Sequence, residues 1–352
     1  MKIGNKNIGK DYPSFIIAEL SANHNGNLDV AIETIKAAKR CGADAIKLQT
    51  YTPDTMTIDV DNKYFQINEG TLWDGKTLHE LYGEAYTPWE WHDQLFEAAE
   101  KEGLICFSSP FDLTAVDFLE KYDMPAYKIA SFEIQDIPLI EYAASKGKPI
   151  IMSTGIATEE DIQLAVETCR KVGNNDIILL KCTSSYPAPL ELANLNTIPD
   201  LKTRFDVEVG FSDHTYGSLA PTIAVTLGAK VIEKHFILDK NIGGPDADFS
   251  LDVNEFKEMV DQVRDAEKLL GKVSYEVSEK VKKNRKFARS LFVVKDVKAG
   301  EIITSENVRS IRPGYGLHPK YYNQILGKSF SNNIVKGTPL NLQFIENFDV
   351  EF

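Results

Sequence analysis

Apolar runs of six or seven residues recur along the first 270 positions, and between most of them lie stretches whose apolar residues return every three or four places. The runs are FIIAEL (15–20), DAIKLQT (44–50), LICFSS (104–109), AYKIAS (126–131), PIIMST (149–154), IILLKCT (177–183), VEVGFS (207–212) and KVIEKHF (230–236). Their length and β-branched content predict strands buried on both faces. The intervening stretches, among them LDVAIETIKAAKRCGA, WHDQLFEAAEKEG, LTAVDFLEKYD, TEEDIQLAVETCRKVG and VNEFKEMVDQVRDAEKLLG, predict amphipathic helices. Strand followed by helix, repeated, means parallel strands with right-handed crossovers. Eight such runs over this length predict a (β/α)8 TIM barrel, whose usual size is about 250 residues. No GxGxxG follows any run, so an open dinucleotide-binding sheet lacks its fingerprint. The long insertion at 51–88 falls on the active face after the second strand and reads as a substrate-covering loop.

The pattern changes after Gly271, where the charged segment VSYEVSEKVKKNRK leads into short strands and turns. This predicts a barrel over 1–272, a linker over 273–288 and a small β-rich domain over 289–352. About 65 residues is small for independent stability, so the tail is expected to dock on the barrel or on a second subunit.

Composition adds exclusions. With 43% hydrophobic and 26% charged residues the chain is globular, and it has no apolar run of 18 and no leader-like start. A cytoplasmic protein with no membrane span is expected. Cys41, Cys106, Cys169 and Cys182 show no CxxC spacing and read as buried thiols. The net charge of −13 argues against nucleic-acid binding. The charge is uneven: residues 280–345 hold 13 Lys or Arg against 3 Asp or Glu. Such a basic tail could attract an anion or simply be solvated.

In a TIM barrel, ionisable residues at the C-terminal ends of the strands line the active site. Every run ends with at least one polar candidate: Glu19, Asn23 and His24; Lys47 and Gln49; Ser108 and Ser109; Lys128, Ser131 and Glu133; Ser153 and Thr154; Lys181, Thr183, Ser184 and Tyr186; Ser212, Asp213 and His214; Glu233, Lys234 and His235. Lys47 and Lys128 with several serines suit a phosphate or carboxylate. A Schiff-base lysine is the rival reading of the same residues. His214 and His235 end adjacent strands and could share one divalent ion, with Glu19 or Glu233 nearby. Glu133 is a candidate general acid or base, or a salt-bridge partner of Lys128. Asp246, in a turn-rich loop after the last strand, could accept sugar hydroxyls or serve the turn alone. Together these groups describe metal-assisted carbon–carbon bond formation between an anionic partner, a phosphorylated one being expected, and a polar carbonyl compound.

The segments FIIAELSANHNG, GADAIKLQTY, CFSSPF, AYKIASFE, STGIAT, KCTSSYPAP, VGFSDHT and VIEKHF resemble the sialic acid synthase family. The tail FARSLFVVKDVKAGEIITSENVRSIRPGYGL resembles its antifreeze-like, or SAF, domain. The resemblance implies condensation of phosphoenolpyruvate with an N-acylated amino sugar, giving a nine-carbon 2-keto-3-deoxy acid and phosphate. It implies phosphoenolpyruvate contacts from Lys47, Ser109, Lys128, Ser131, Ser153, Ser184 and Ser212. It implies a divalent metal, Mn2+ or Mg2+, on His214 and His235. Glu19, Gln49, Glu133, Tyr186, Glu233 and Asp246 match positions around the metal and acceptor, with Glu19, Glu133 and Lys128 as catalytic candidates. Arg312 matches an arginine that reaches the sugar in the partner subunit's barrel, which implies a domain-exchanged homodimer. The stretch GTLWDGKTLHELYGEAYTPWEWH (70–92) resembles the branch whose acceptor is 2,4-diacetamido-2,4,6-trideoxy-L-altrose; neighbouring branches make legionaminic or N-acetylneuraminic acid.

Overall fold

All eight apolar runs are strands. The computed structural model describes residues 1–68, 70 and 73–348, so Glu69, Thr71 and Leu72 of the insertion and the last four residues of the tail domain lie outside the described residues. The strands are β1 (Phe15–Glu19), β2 (Ala45–Thr50), β3 (Ile105–Pro110), β4 (Tyr127–Ile129), β5 (Ile150–Ser153), β6 (Ile177–Cys182), β7 (Glu208–Asp213) and β8 (Val231–His235). They close into a parallel barrel in which β8 pairs with β1. The register sets His235 opposite Glu19, Glu19 opposite Lys47, and Ser212 opposite Glu233. One glycine is required by close approach: a Cβ on Gly210 would meet the Val231 carbonyl oxygen at 2.3 Å, so any larger residue would push β7 off β8.

The crossover helices are α1 (Leu28–Cys41), α2 (His92–Lys101), α3 (Leu113–Leu119), α4 (Ile137–Ser145), α5 (Glu159–Lys171), α6 (Thr197–Phe205), α7 (Leu219–Thr226) and α8 (Val253–Leu270). Their limits follow local chemistry. Asn27 caps α1 and Gly42 ends it in the left-handed region, while Thr158 with Asp161 and Asp252 with Glu255 form capping boxes on α5 and α8. An N-terminal ribbon, Lys2–Ile3 against Lys6–Asn7, buries Ile3 and Ile8 in the barrel's core cluster.

The chain divides into two units, Met1–Gly271 and Lys272–Phe352. In the second, β9 (Ser290–Val293) pairs antiparallel with β10 (Val308–Ile311) over a core that includes Leu291, Val308, Phe330 and Leu340. Residues 271–289, ahead of that core, are exposed. Among the described residues no helix is long and apolar enough to cross a membrane.

Candidate active site

Side chains alternate across a strand, so only every second strand residue can face the barrel's interior. That alternation sorts the strand-end candidates. Glu19, Lys47, Gln49, Lys128, Ser153, Ser212, Glu233 and His235, with Ser131, Glu133, Tyr186, His214 and Asp246 from the loops that follow, line one cavity. Thr154, Lys181, Asp213 and Lys234 do not line it. Ser108 bonds Thr50 at 2.6 Å, in a buried chain that continues from Thr50 to His92. Asn23 and His24 hold loops: Asn23 donates to the Phe236 carbonyl, and the His24 Nε2 pairs with the Thr87 hydroxyl at 3.2 Å.

The cavity floor is a buried web of charge. The Lys47 ammonium lies 2.7 Å from Glu19 Oε2 and 3.4 Å from Glu233 Oε1, and donates to Ser109 Oγ at 3.2 Å. Lys128 donates to Ser153 Oγ at 2.7 Å and stands 3.8 Å from Glu233. Ser212 donates to Glu233, and Gln49 to Glu19 Oε1 at 3.0 Å and to Ser21. Burial favours the neutral forms, so it pushes Lys128 below the ordinary lysine range; Glu233 opposes this. For Lys47 the same burial is outweighed by Glu19 and Glu233, which hold it above that range. Burial lifts Glu19 to about 7 against the pull of Lys47. It lifts Glu133 to about 7 as well, with Lys128 opposing. No described ion pair joins Glu133 to Lys128, and Glu133 Oε2 is buried without a hydrogen-bond partner, so the salt-bridge alternative for Glu133 is not what the structure adopts.

The two histidines meet at the rim above β7 and β8, ring centroids 5.3 Å apart. The His214 Nδ1 donates to the Thr183 carbonyl at 3.0 Å, which leaves its Nε2 lone pair uncommitted. His235 Nδ1 is buried with no hydrogen-bond partner, and burial holds its imidazole well below the ordinary range, hence neutral and able to ligate. The carboxylate beside this pair is Asp246, 3.7 Å from His235 Nδ1, and it also accepts from Ser21. Glu19 and Glu233 line the same cavity as the histidines, Glu19 directly opposite His235 in the register, and make their ion pairs with the lysines. Among the described residues no group of three or more His, Cys, Asp or Glu converges, so an ion here would take two imidazoles and complete its shell with water or substrate oxygens. Those donors suit a divalent cation with open positions.

Phe249 and the individual wall residues of the insertion were not singled out in the sequence, whereas Tyr186 and the covering role of the insertion were. Tyr186 and Phe249 pack around both histidines, with Tyr186 4.3 Å from His214 and Phe249 4.9 Å from His235 between centroids. The insertion supplies a wall: Tyr51, Met56, Leu81, Tyr82 and Ala85 line the cavity, the last three from a helix over Leu78–Ala85 started by a Thr77–Glu80 capping box. Apolar residues inside a polar loop carry no periodic signal, although the capping box was legible. Of the other candidates, Ser109 supports Lys47 from outside the lining. Ser184 lies behind Gly155, where an added Cβ would meet Ser184 Oγ at 2.1 Å and Ser131 Oγ at 2.7 Å. Arg312 is exposed in the second unit, directly after β10.

A NeuB family model matches residues 34–275 and a SAF domain model residues 288–346. The pseudaminic acid synthase of Campylobacter jejuni is 55% identical over 340 residues, covering 97% of this chain and 98% of that protein. Its Helicobacter pylori counterpart is 51% identical over 335 residues, 95% of this chain and 98% of that one. Among solved structures, the N-acetylneuraminic acid (sialic acid) synthetase of Leptospira borgpetersenii has a TM-score of 0.72 at 32% identity, covering 81% of this chain and 94% of that chain.

Proposed function

This chain belongs to the NeuB family of synthases, which join phosphoenolpyruvate to a sugar through a new carbon–carbon bond, and from that premise we infer that its product is pseudaminic acid. The reaction is condensation of phosphoenolpyruvate with 2,4-diacetamido-2,4,6-trideoxy-L-altrose and water, with release of phosphate. What carries the reading is near-full-length identity above half to two pseudaminic acid synthases, together with a cavity that sets two buried lysines beside two histidines.

The residues divide the work by their chemistry. Lys47, Lys128, Ser131, Ser153 and Ser212 face the same space and supply ammonium and hydroxyl donors for the phosphate and carboxylate of phosphoenolpyruvate. Lys128, held low by burial, regains its proton affinity when an anion arrives beside it. His214 and His235, with Asp246 behind them, would hold a divalent cation; when bound, such an ion polarises a carbonyl oxygen as a Lewis acid. Phosphoenolpyruvate C3 then bonds to the aldehyde carbon of the open-chain sugar, water adds at C2, and the C2–O bond to phosphate breaks. Glu133, uncharged up to neutral pH and aimed into the cavity, donates the proton that the new hydroxyl requires. Glu19, fixed as an acceptor by Lys47 and Gln49, takes the proton from water. Arg312 is assigned to the acceptor in a partner subunit's barrel, which makes the working form a homodimer.

The sign of the pH dependence follows. Because Glu133 must be protonated and Glu19 ionised, each with a pKa lifted to about 7, kcat/KM passes through a maximum near that value, and Glu133 sets the limb that falls as pH rises. Glu133→Gln should flatten this limb and lose about 100-fold or more in kcat, since a positioned acid contributes about 10²–10⁴. An unchanged limb in the variant would transfer the role to another group.

The wall of the insertion bears on the acceptor. Leu81 and Met56 present apolar surface suited to a methyl group, such as C6 of a 6-deoxy sugar or an acetamido methyl. One methyl in an apolar pocket is worth about 1–3 kcal/mol. Leu81→Ser should therefore lower kcat/KM for the 6-deoxy sugar about tenfold or more and narrow its margin over N-acetylmannosamine, which carries a hydroxyl at C6. The reading is tested by phosphate release from phosphoenolpyruvate with Mn2+, offering the diacetamido altrose, its legionaminic counterpart and N-acetylmannosamine, each with a chelator control. Chelator-sensitive release with the altrose sugar alone is expected. Release with another sugar would change the product, and silence with all three would overturn the reading.

A further inference from the structure

Directly behind the two histidines lies a pair of charges that the reaction does not use. Asp213 and Lys234 occupy matching positions on β7 and β8, and both side chains are fully buried, on the face of the strands opposite the cavity. The Lys234 ammonium bonds Asp213 Oδ2 at 2.5 Å and also donates to the Thr215 carbonyl. Asp213 in turn accepts from the Thr215 amide at 2.8 Å and from its hydroxyl at 3.2 Å. The lysine thus grips the chain on both sides of His214, at Asp213 and at Thr215, while being itself the residue before His235.

Two charges withdrawn wholly from water gain little over an apolar pair of equal volume, so stability is a weak reason for their presence. What such a pair does supply is a fixed geometry with directional bonds. Here the tie joins the ends of β7 and β8, next to both imidazoles; the backbone holds His214 there through the Ala188 amide, which donates to its carbonyl, and the side-chain bonds fix the residues on either side of it. We propose that Asp213, Lys234 and Thr215 form a clamp that sets the separation and aim of His214 and His235, acting as positioning residues for the divalent cation. The proposal rests on the metal role assigned to those histidines under the proposed function.

The test is direct cation binding to the full chain. Mn2+ affinity is read by electron paramagnetic resonance of free Mn2+ in wild type, His214→Ala, Lys234→Met, and Asp213→Asn/Lys234→Met, which removes both charges and leaves none unpaired. Wild type is expected to bind one Mn2+ and His214→Ala to bind none; failure at this step would strike the metal reading itself. In the double variant, Mn2+ affinity should drop at least about tenfold, with the melting temperature close to wild type and the KM for phosphoenolpyruvate within about twofold at saturating Mn2+. That split separates a clamp from a general stabiliser, which would move all three quantities together. Wild-type Mn2+ affinity in the folded double variant would overturn the proposal. Failure of the double variant to fold would overturn it too, by assigning the pair to the barrel's stability.

Discussion

Replacing His214 or His235 by alanine is expected to lower kcat/KM at least about a thousandfold, which is about 4 kcal/mol of transition-state stabilisation at 1.36 kcal/mol per decade. The size follows from the role. Two imidazoles 5.3 Å apart by centroid are the described donors best placed for a shared ion, and His235 Nδ1 has no other partner to satisfy it. Removing either leaves one protein imidazole, too few to retain a labile divalent cation against water. Because both side chains face a cavity, truncation leaves no uncompensated charge in the core, and the variants should melt near wild type. Full activity in either variant, measured with and without chelator, would remove the metal assignment. Added Mn2+ should rescue neither.

The second large effect concerns stability. Lys47→Met is expected to destabilise the barrel by about 3–5 kcal/mol, the usual result of breaking a buried ion pair by deleting one partner. Lys47 is the closest cation to Glu19 and also bonds Glu233, and all three are buried. The pH dependence has a definite sign. Burial already lifts Glu19 to about 7 with Lys47 in place, so the folded chain binds a proton there more tightly than the unfolded chain does. Stability from this group is therefore present at low pH and is lost as pH rises from the ordinary carboxylate range through about 7. Deleting Lys47 removes the opposing charge and lifts Glu19 further, so the deficit should be smaller at pH 5.5 than at pH 8 in urea unfolding. Adding Glu19→Gln to Lys47→Met should restore part of the stability and none of the activity. If the single and double variants unfold alike at both pH values, the web on the cavity floor is not electrostatically coupled.

Most of the barrel was legible because its strands are buried on both faces and so read as unbroken apolar runs, each within one residue of the observed strand at its first position. Three helices were not singled out. α4 and α7 are apolar on most sides and α7 contains Pro221, so neither shows a polar stripe, while α6 is short and begins without a side-chain cap. In the site, residue types were readable but facing was not. Lys234 and His235 are neighbours in sequence with opposite orientations, and only the register of β8 against β1 and β7 decides which enters the cavity. Phe249 and Leu81 went unnoticed because an aromatic or aliphatic residue has no chemistry to announce, and its value lies in what it packs against.

Barrel closure has a consequence for how the molecule comes into being. Glu19 and His235 sit side by side, and the Phe236 amide bonds the Glu19 carbonyl. At a synthesis rate of about 5–20 residues per second, Glu19 leaves the ribosome roughly 10–40 s before the strand that will cover it. Until then β1 lacks its β8 partner along one edge. The pairing that covers the β1 edge is thus also the one that brings His235 beside Glu19, so a chain that stops short of β8 lacks one of the two imidazoles.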